Sequence, residues 1–134
     1  MLVRGIKIDN GENAGKIWRF LNQKGTTSKD IILENSKIKE RDFHSAVGWL
    51  ARENKISRTG EDIYKLDETN LTDEIGMNAG RIWRILDIWG EVDISTIKKL
   101  SELNEKQIYS ALGWLSKEDK IFFDKELSKY ELKK

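Results

Sequence analysis

An internal repeat constrains the fold of this chain more than any other feature. Residues 11–56 align with residues 76–121 at an offset of 65 without a gap, and 20 of these 46 positions are identical. Chance does not produce such a match, so the chain is a tandem duplication. We expect two units, at residues 1–68 and 69–134. The short polar linker between them lacks the Gly and Ser runs of a flexible linker, so we expect the two units to keep a fairly fixed position relative to each other.

Both repeats show the same order of predicted elements. The first helix carries an apolar stripe with i, i+3, i+4, i+7 spacing, and Gly25 or Gly90 follows where a helix-ending glycine is expected. A short extended segment comes next, then a short second helix (29–34 and 94–100) and a longer third helix (39–53 and 104–118). Two short strands close each unit. This order predicts an α+β, mainly α chain of two tandem winged helix-turn-helix units, each with three helices and a small β-wing.

Two sequence motifs in each repeat resemble a known family. The strings ENAGKIWRFL and SAVGWLARENKI, and MNAGRIWRIL and SALGWLSKEDKI in the second copy, are similar to small prokaryotic winged-helix proteins of uncharacterised function. The resemblance covers nearly all of both repeats. It implies the fold and a DNA-binding role, but no known operator, ligand or catalytic residue. Members of that family usually have one unit, so this chain departs from the pattern by being a tandem pair.

The composition excludes several classes of protein. With no Cys and a single His, the chain offers no disulfide framework, no thiolate zinc site and no cysteine nucleophile. No acid–base pair stands out in an apolar setting, so we expect no enzymatic activity, no metal site and no cofactor. No apolar run approaches the ~20 residues of a membrane span, and the first eight residues lack the features of a signal peptide. We therefore expect a cytoplasmic protein without membrane contact.

The third helix of each repeat has an outer face with a shared pattern. Phe43, Ala46, Val47 and Leu50 form the predicted core face. The opposite face carries a base, two small residues and a base at i, i+4, i+7 and i+11, namely Arg41, Ser45, Gly48 and Arg52, and then Lys106, Ser110, Gly113 and Lys117. This pattern has two interpretations, a stripe that contacts DNA phosphates or a small-residue groove that packs another helix. Because a mid-helix glycine costs ~0.5–1 kcal/mol, packing is favoured for Gly48 and Gly113.

The DNA interpretation predicts a set of contact residues, because the third helix of a helix-turn-helix unit reads the major groove and the wing contacts the backbone or minor groove. Arg41 has the geometry for a bidentate bond to guanine, and Gln107 for one to adenine. Serines on the outer face would bond phosphate or a base edge. The complete predicted set is Arg41, His44, Ser45, Arg52, Arg58, Lys106, Gln107, Tyr109, Ser110, Lys117 and Lys125.

The leading hypothesis is a protein that binds double-stranded DNA in transcriptional or chromosome-associated regulation, either as a monomer with a built-in pseudo-dimer or as a homodimer. The net charge of +1 and the acidic neighbours Glu40 and Asp42 favour weak, avidity-dependent binding. The alternative is a protein-interaction adaptor, which the near-zero charge, the small-residue groove and five Trp also suit. A positive strip along both third helices would favour DNA, and a mixed surface with an exposed apolar patch would favour protein.

The aromatic residues and the histidine have structural interpretations. Trp18, Trp49, Trp83 and Trp114 recur in both repeats beside the core stripes, so packing is favoured over base stacking. Trp89 has no counterpart, since Lys24 stands at its position, and we expect it to face the other unit or a dimer mate. His44 is predicted to be a surface or edge histidine rather than a ligand.

Overall fold

The computed structural model describes residues 6–133, and of Ile6 and Lys7 it describes the backbone only. Residues 1–5 and 134 lie outside the described residues, and so do the outer limits of the predicted units and most of the segment considered for a signal peptide. The first unit contains β1 (Ile6–Lys7), α1 (Gly11–Lys24), β2 (Thr27–Ser28), α2 (Lys29–Ser36), α3 (Glu40–Arg52), β3 (Ile56–Thr59) and β4 (Ile63–Leu66). The second contains α4 (Thr72–Trp89), α5 (Ile94–Ser101), α6 (Glu105–Lys117), β5 (Ile121–Asp124) and β6 (Lys129–Leu132).

The helices begin and end where local chemistry directs. Gly25 and Gly90 adopt φ values of 77° and 81°, and their N–H groups donate to the carbonyls of Leu21 and Leu86. The Asn104 side chain accepts from the Gln107 N–H while the Gln107 side chain accepts from the Asn104 N–H, which confirms the capping pair at α6. The matched residue of α3, Lys39, makes no side-chain cap.

Each unit has an apolar core with the third helix at its centre, and the first core also includes Leu71 and Ile75 of the second unit. The predicted core face of α3 is buried, and Ile17 of α1 packs into the same cluster. Ile82, Ile108 and Leu115 occupy the corresponding places in the second unit. The chain is therefore α+β and mainly helical, as predicted. Across residues 6–133, no helix combines the length and apolar character needed to cross a membrane.

The two units exchange their N-terminal segments. Strand β1 pairs antiparallel with β5 of the second unit, in the register Ile6 to Phe123, and gives a sheet of order β1-β5-β6. The other wing has the order β2-β4-β3. At its outer edge, Asn70 from the start of the second unit accepts from the Arg58 N–H at 2.9 Å and donates to the Arg58 carbonyl at 2.6 Å. Each unit thus completes the wing of the other, a feature that the sequence pattern did not predict.

Candidate functional site

The third helices of the two units pack directly against each other. A Cβ atom placed on Gly48 would lie 1.9 Å from the carbonyl oxygen of Ser110, and one placed on Gly113 would lie 1.8 Å from the carbonyl oxygen of Ser45. Real Cβ atoms essentially never come so close to another atom, so the two helix backbones touch at these points. The small-residue stripe is therefore a packing groove, and the packing interpretation of the two glycines is confirmed.

The C-terminal ends of the paired helices lie together and are joined by ion pairs, which shows that the helices run in the same direction. Arg52 Nε lies 3.1 Å from Glu118 Oε2, and Lys117 Nζ lies 3.5 Å from Glu53 Oε2. Each base also covers an indole of the opposite unit, Arg52 at 5.6 Å from the Trp114 ring centroid and Lys117 at 5.0 Å from that of Trp49. These matched contacts show that the two units are related by an approximate twofold axis. They also engage Arg52 and Lys117, two of the predicted DNA-contacting residues, in contacts within the chain.

Three of the predicted DNA-contacting residues are buried by this pairing. His44, Ser45 and Ser110 are only 3%, 8% and 6% exposed, and Ser110 Oγ donates to the Lys106 carbonyl of its own helix. None of the three can reach a DNA groove in this arrangement, which corrects their prediction as contact residues. The cause is that the outer faces of α3 and α6, which carry these residues, lie against each other.

Other members of the predicted set already have partners within the chain. Lys106 Nζ lies 3.0 Å from Asp62 Oδ1, which links α6 to the first wing, and the Gln107 amide belongs to the α6 cap. Arg58 pairs with Glu74 of α4. Burial opposes the charge of Arg58, but the Tyr64 hydroxyl and the Glu74 carboxylate outweigh burial and raise its pKa. Lys106 and Arg58 therefore join the two units, whereas Gln107 stabilises the start of its own helix.

Arg41 and Lys125 are the members that stay exposed without an ion-pair partner among residues 6–133. Tyr109 is half-buried and lines a cleft between the units together with Arg41. The structure therefore brings most of the predicted set together at the contact between the two units. Four of the six Arg and Lys residues in the predicted set are engaged in ion pairs with other described residues.

His44 occupies an apolar and basic environment. Its ring packs edge-on against Phe43, and neither ring nitrogen has a hydrogen-bond partner within the described chain. The Glu40 carboxylate lies 3.5 Å from Nε2, an ion-pair distance without hydrogen-bond geometry. Burial lowers the pKa of His44, and the positive charges of Lys106 and Lys29 act in the same direction. The prediction of a surface or edge histidine was therefore wrong. No group of three potential metal ligands occurs among residues 6–133.

Trp89 lies away from the contact between the units, which corrects the first of its two expected locations, whereas contact with a dimer mate stays a prediction. It is 60% exposed on α4, and its groove is lined by residues of α4 and α5 alone. Trp49 and Trp114 pack against the cores as predicted, whereas Trp18 and Trp83 keep more than a third of their surface exposed.

The groove beside Trp89 forms an exposed apolar surface that was not predicted from the sequence. Met77 and Ile88 are 74% and 75% exposed, and Leu100 of α5 lies beside them. A signal for this surface exists in the repeat, because the matched positions of the first unit hold polar residues. Glu12, Gln23, Lys24 and Asn35 stand where the second unit has Met77, Ile88, Trp89 and Leu100.

Comparisons with known proteins agree with the architecture. The profile of the winged helix-turn-helix domain family DUF2582 matches residues 6–65 and again residues 68–134. The uncharacterised protein MJ1608 of Methanocaldococcus jannaschii is 38% identical over 63 residues, which cover 45% of this chain and 89% of that protein. No solved structure gives a significant match. A winged-helix domain fits a DNA-binding role. With two consecutive matches that together span most of its length, the chain belongs to the winged helix-turn-helix domain family DUF2582 and is a tandem pair of its domains.

Proposed function

We propose that this chain is a protein-interaction adaptor that docks a partner on the α4–α5 face, defined as Met77, Arg81, Arg84, Ile85, Ile88, Trp89 and Leu100. The observation that carries the proposal is the contrast between the repeats. At four matched positions the first helix pair has polar residues, whereas its copy has the exposed apolar residues Met77, Ile88, Trp89 and Leu100. Exposed apolar patches of this kind are typical of protein-binding surfaces. The proposal includes a cytoplasmic location and no enzymatic activity.

The charges of the α4–α5 face specify the chemistry of the partner. Arg81 and Arg84 line the groove, which has a volume of about 470 Å³, and no carboxylate lines it. Arg81 is held in place by a hydrogen bond of 3.0 Å to the Ser101 carbonyl. An amphipathic partner segment with acidic side chains beside its apolar ones would complement this face. A second copy of the chain would instead bring two pairs of arginines together.

A designed peptide tests this proposal directly. We would use an amphipathic 18-residue helix with leucine on one face and glutamate on the other, and a second peptide with lysine in place of glutamate. Fluorescence anisotropy with the full chain should show binding of the acidic peptide in the micromolar range (about −8 kcal/mol) and at least about tenfold weaker binding of the basic one. Equal binding of both peptides, or binding of neither, would contradict the proposal.

Matched variants then locate the binding surface. Met77→Glu with Trp89→Lys gives α4 the residues that the first unit has at these exposed positions, so the fold is retained and peptide binding should be lost. Ile31→Glu, at an exposed apolar residue of the first unit, should leave binding unchanged. Sedimentation of the full chain tests the second-copy alternative. If the parent chain forms a dimer and the double variant Met77→Glu with Trp89→Lys does not, the occupant of this face is a second copy of the chain and not another protein.

DNA binding is the second candidate, and membership of a winged-helix family favours it. Because the third helices face each other, contact would have to come from exposed bases such as Arg41 and Lys125. A salt titration with random duplex DNA tests this candidate, and each phosphate contact should add about 0.9 to the slope. Absence of binding at about 50 mM salt would remove it.

A further inference from the structure

A cleft of about 430 Å³ lies between the two units, beside the N-terminal half of α3. Its volume falls within the range of small-molecule sites, which often occur where two domains meet. The first unit contributes Arg41, Asp42 and Ser45, and the second contributes Asp93 and Tyr130 among others. This cleft is separate from the α4–α5 face, so an inference drawn from it stands independently of the proposed function.

The matched location in the other half of the molecule is filled by ion pairs. There Lys106 takes the place of Arg41 and bonds Asp62, and Lys29 lies 3.7 Å from the same carboxylate. In the cleft, Ser128 stands at the position of Asp62, with the same left-handed backbone (φ 53° against 57°), and Ile94 stands at that of Lys29. The carboxylate that neutralises Lys106 therefore has no equivalent beside Arg41.

Several polar groups of the cleft lack partners within the described chain. Arg41 and Asp42 make no ion pair or hydrogen bond there, and neither does the hydroxyl of Ser45, although that residue is more than nine-tenths buried. The matched hydroxyl of Ser110 is satisfied by the Lys106 carbonyl at 2.7 Å. Arg41 is exposed, Asp42 is half-buried, and the Ser45 hydroxyl is not among the fully buried atoms, so all three groups are available to a polar occupant of the cleft.

The charges of the cleft select the kind of occupant. Asp93 accepts a hydrogen bond of 2.8 Å from the Thr96 N–H, and the bonds from Thr96 lower its pKa and keep it ionised. Burial raises the pKa of Tyr130 to about 12, so its hydroxyl stays a neutral donor. A ligand with only a negative charge would be repelled by the carboxylates of Asp42 and Asp93, and a ligand with only a positive charge would be repelled by Arg41. A molecule with both charges satisfies both sets.

We propose that this cleft binds a small zwitterion with an apolar side chain, in the chemical class of a free amino acid. Its carboxylate would pair with Arg41 and accept from the hydroxyl of Ser45, and its ammonium group would lie against Asp42 and Asp93. The apolar side chain would pack on Ile94 and on the rings of Phe123 and Tyr130, whose centroids are 4.8 Å apart. The ligand would contact both units at once.

Calorimetric titration of the full chain with L-phenylalanine and L-leucine tests the proposal. Each would be compared with the two analogues that lack its ammonium or its carboxylate group. At least one amino acid should bind with a Kd below about 1 mM, and its singly charged analogues should bind at least about tenfold more weakly. Absence of binding by both amino acids at about 10 mM, or equal binding of an analogue, would overturn the proposal.

Two variants place the ligand in this cleft. Ser128→Asp supplies Arg41 with the carboxylate that Asp62 supplies to Lys106, and Asp62 already adopts that backbone conformation, so the fold is retained. It should weaken binding at least about tenfold, as should Arg41→Gln. Lys106→Gln, at the matched position in the closed half, should leave the affinity unchanged. Affinity that survives both Ser128→Asp and Arg41→Gln would show that the ligand binds elsewhere.

Discussion

Gly48 and Gly113 allow two helix backbones to touch at the centre of the molecule. A mid-helix glycine costs ~0.5–1 kcal/mol relative to alanine, and here the contact of two full-length helices offsets that cost. Any side chain at either position would overlap the backbone of the opposite helix, since the oxygen it would meet lies less than 2 Å away. A backbone carbonyl cannot swing aside as a side chain can, so the helices would have to separate.

Gly48→Ala and Gly113→Ala should therefore each lower the free energy of unfolding by about 3 kcal/mol, measured by chemical denaturation. Gly80→Ala is the matched control, because it lies mid-helix in α4 with open space around it. That variant should raise the free energy of unfolding by about 0.5–1 kcal/mol. Equal stability of Gly48→Ala and the parent chain would show that the third helices do not pack in this way.

His44 should make the stability of the fold depend on pH. Its pKa in the folded state lies below the ordinary value of 6.5 because burial, with Lys106 and Lys29, outweighs the favourable effect of Glu40. The unfolded chain therefore takes up the proton first. As the pH falls from above 6.5 towards the folded pKa, the free energy of unfolding falls, and it levels off below that pKa. Above 6.5 both states are neutral and the stabilising contribution is complete.

Urea unfolding at pH 7.5, 6.5 and 5.5 measures this dependence. His44→Gln is neutral throughout and should show a smaller loss of stability between pH 7.5 and 5.5 than the parent chain. If the free energy of unfolding falls by the same amount in both proteins, groups other than His44 cause the pH dependence.

Among the elements, the third helices differ in how their N-terminal ends are capped. The α6 helix begins with a complete capping box, whereas Lys39 at the start of α3 has the extended backbone of a cap residue but makes no side-chain bond. The N-terminal ends of α3 and α6 lie at matched positions in the two repeats, so comparing them measures how much a side-chain cap contributes to stability.

Lys39→Asn should raise the free energy of unfolding by up to about 1 kcal/mol, and Asn104→Ala should lower it by about 1 kcal/mol. Thermal or urea unfolding measures both changes. Lys39→Gln removes the same charge without adding a good N-cap side chain, and it serves as the control. If the control matches Lys39→Asn, the gain comes from charge and not from the cap.

At the scale of the whole molecule, the two units share so much structure that we expect them to unfold together. Each completes the wing of the other, their third helices pack against each other, and four ion pairs among the described residues join the units, at Arg52, Arg58, Lys106 and Lys117. Separating the units would expose the buried faces of α3 and α6 to water. This cost couples the stability of one core to that of the other.

Calorimetry should therefore show a single transition in which the calorimetric and van't Hoff enthalpies agree. Ile17→Val in the first core and Ile82→Val in the second should each lower the midpoint of that same transition, by about 0.5–1.5 kcal/mol in stability. Two transitions, with each variant shifting a different one, would show that the units fold independently.

The sequence by itself determined the elements and their duplication. Apolar periodicity, the glycines that end α1 and α4, and the Asn104–Gln107 pair depend on local interactions along the chain, so pattern alone locates the helices and wings. The core residues of the third helix follow from the same periodicity. The packing role of Gly48 and Gly113 was also predictable, because an unfavourable residue retained in both repeats needs a compensating contact.

Only the tertiary structure decided what the third helices face. A wheel projection separates the core side of a helix from its other side, but it cannot tell whether that other side meets water, DNA or a second helix. In this protein it meets a second helix, so Ser45, Ser110 and His44 are buried and most of the predicted contact bases are paired. The exchange of β1 and Asn70 between units escaped prediction for the same reason, because such pairings join residues far apart in the chain and leave no periodic signal.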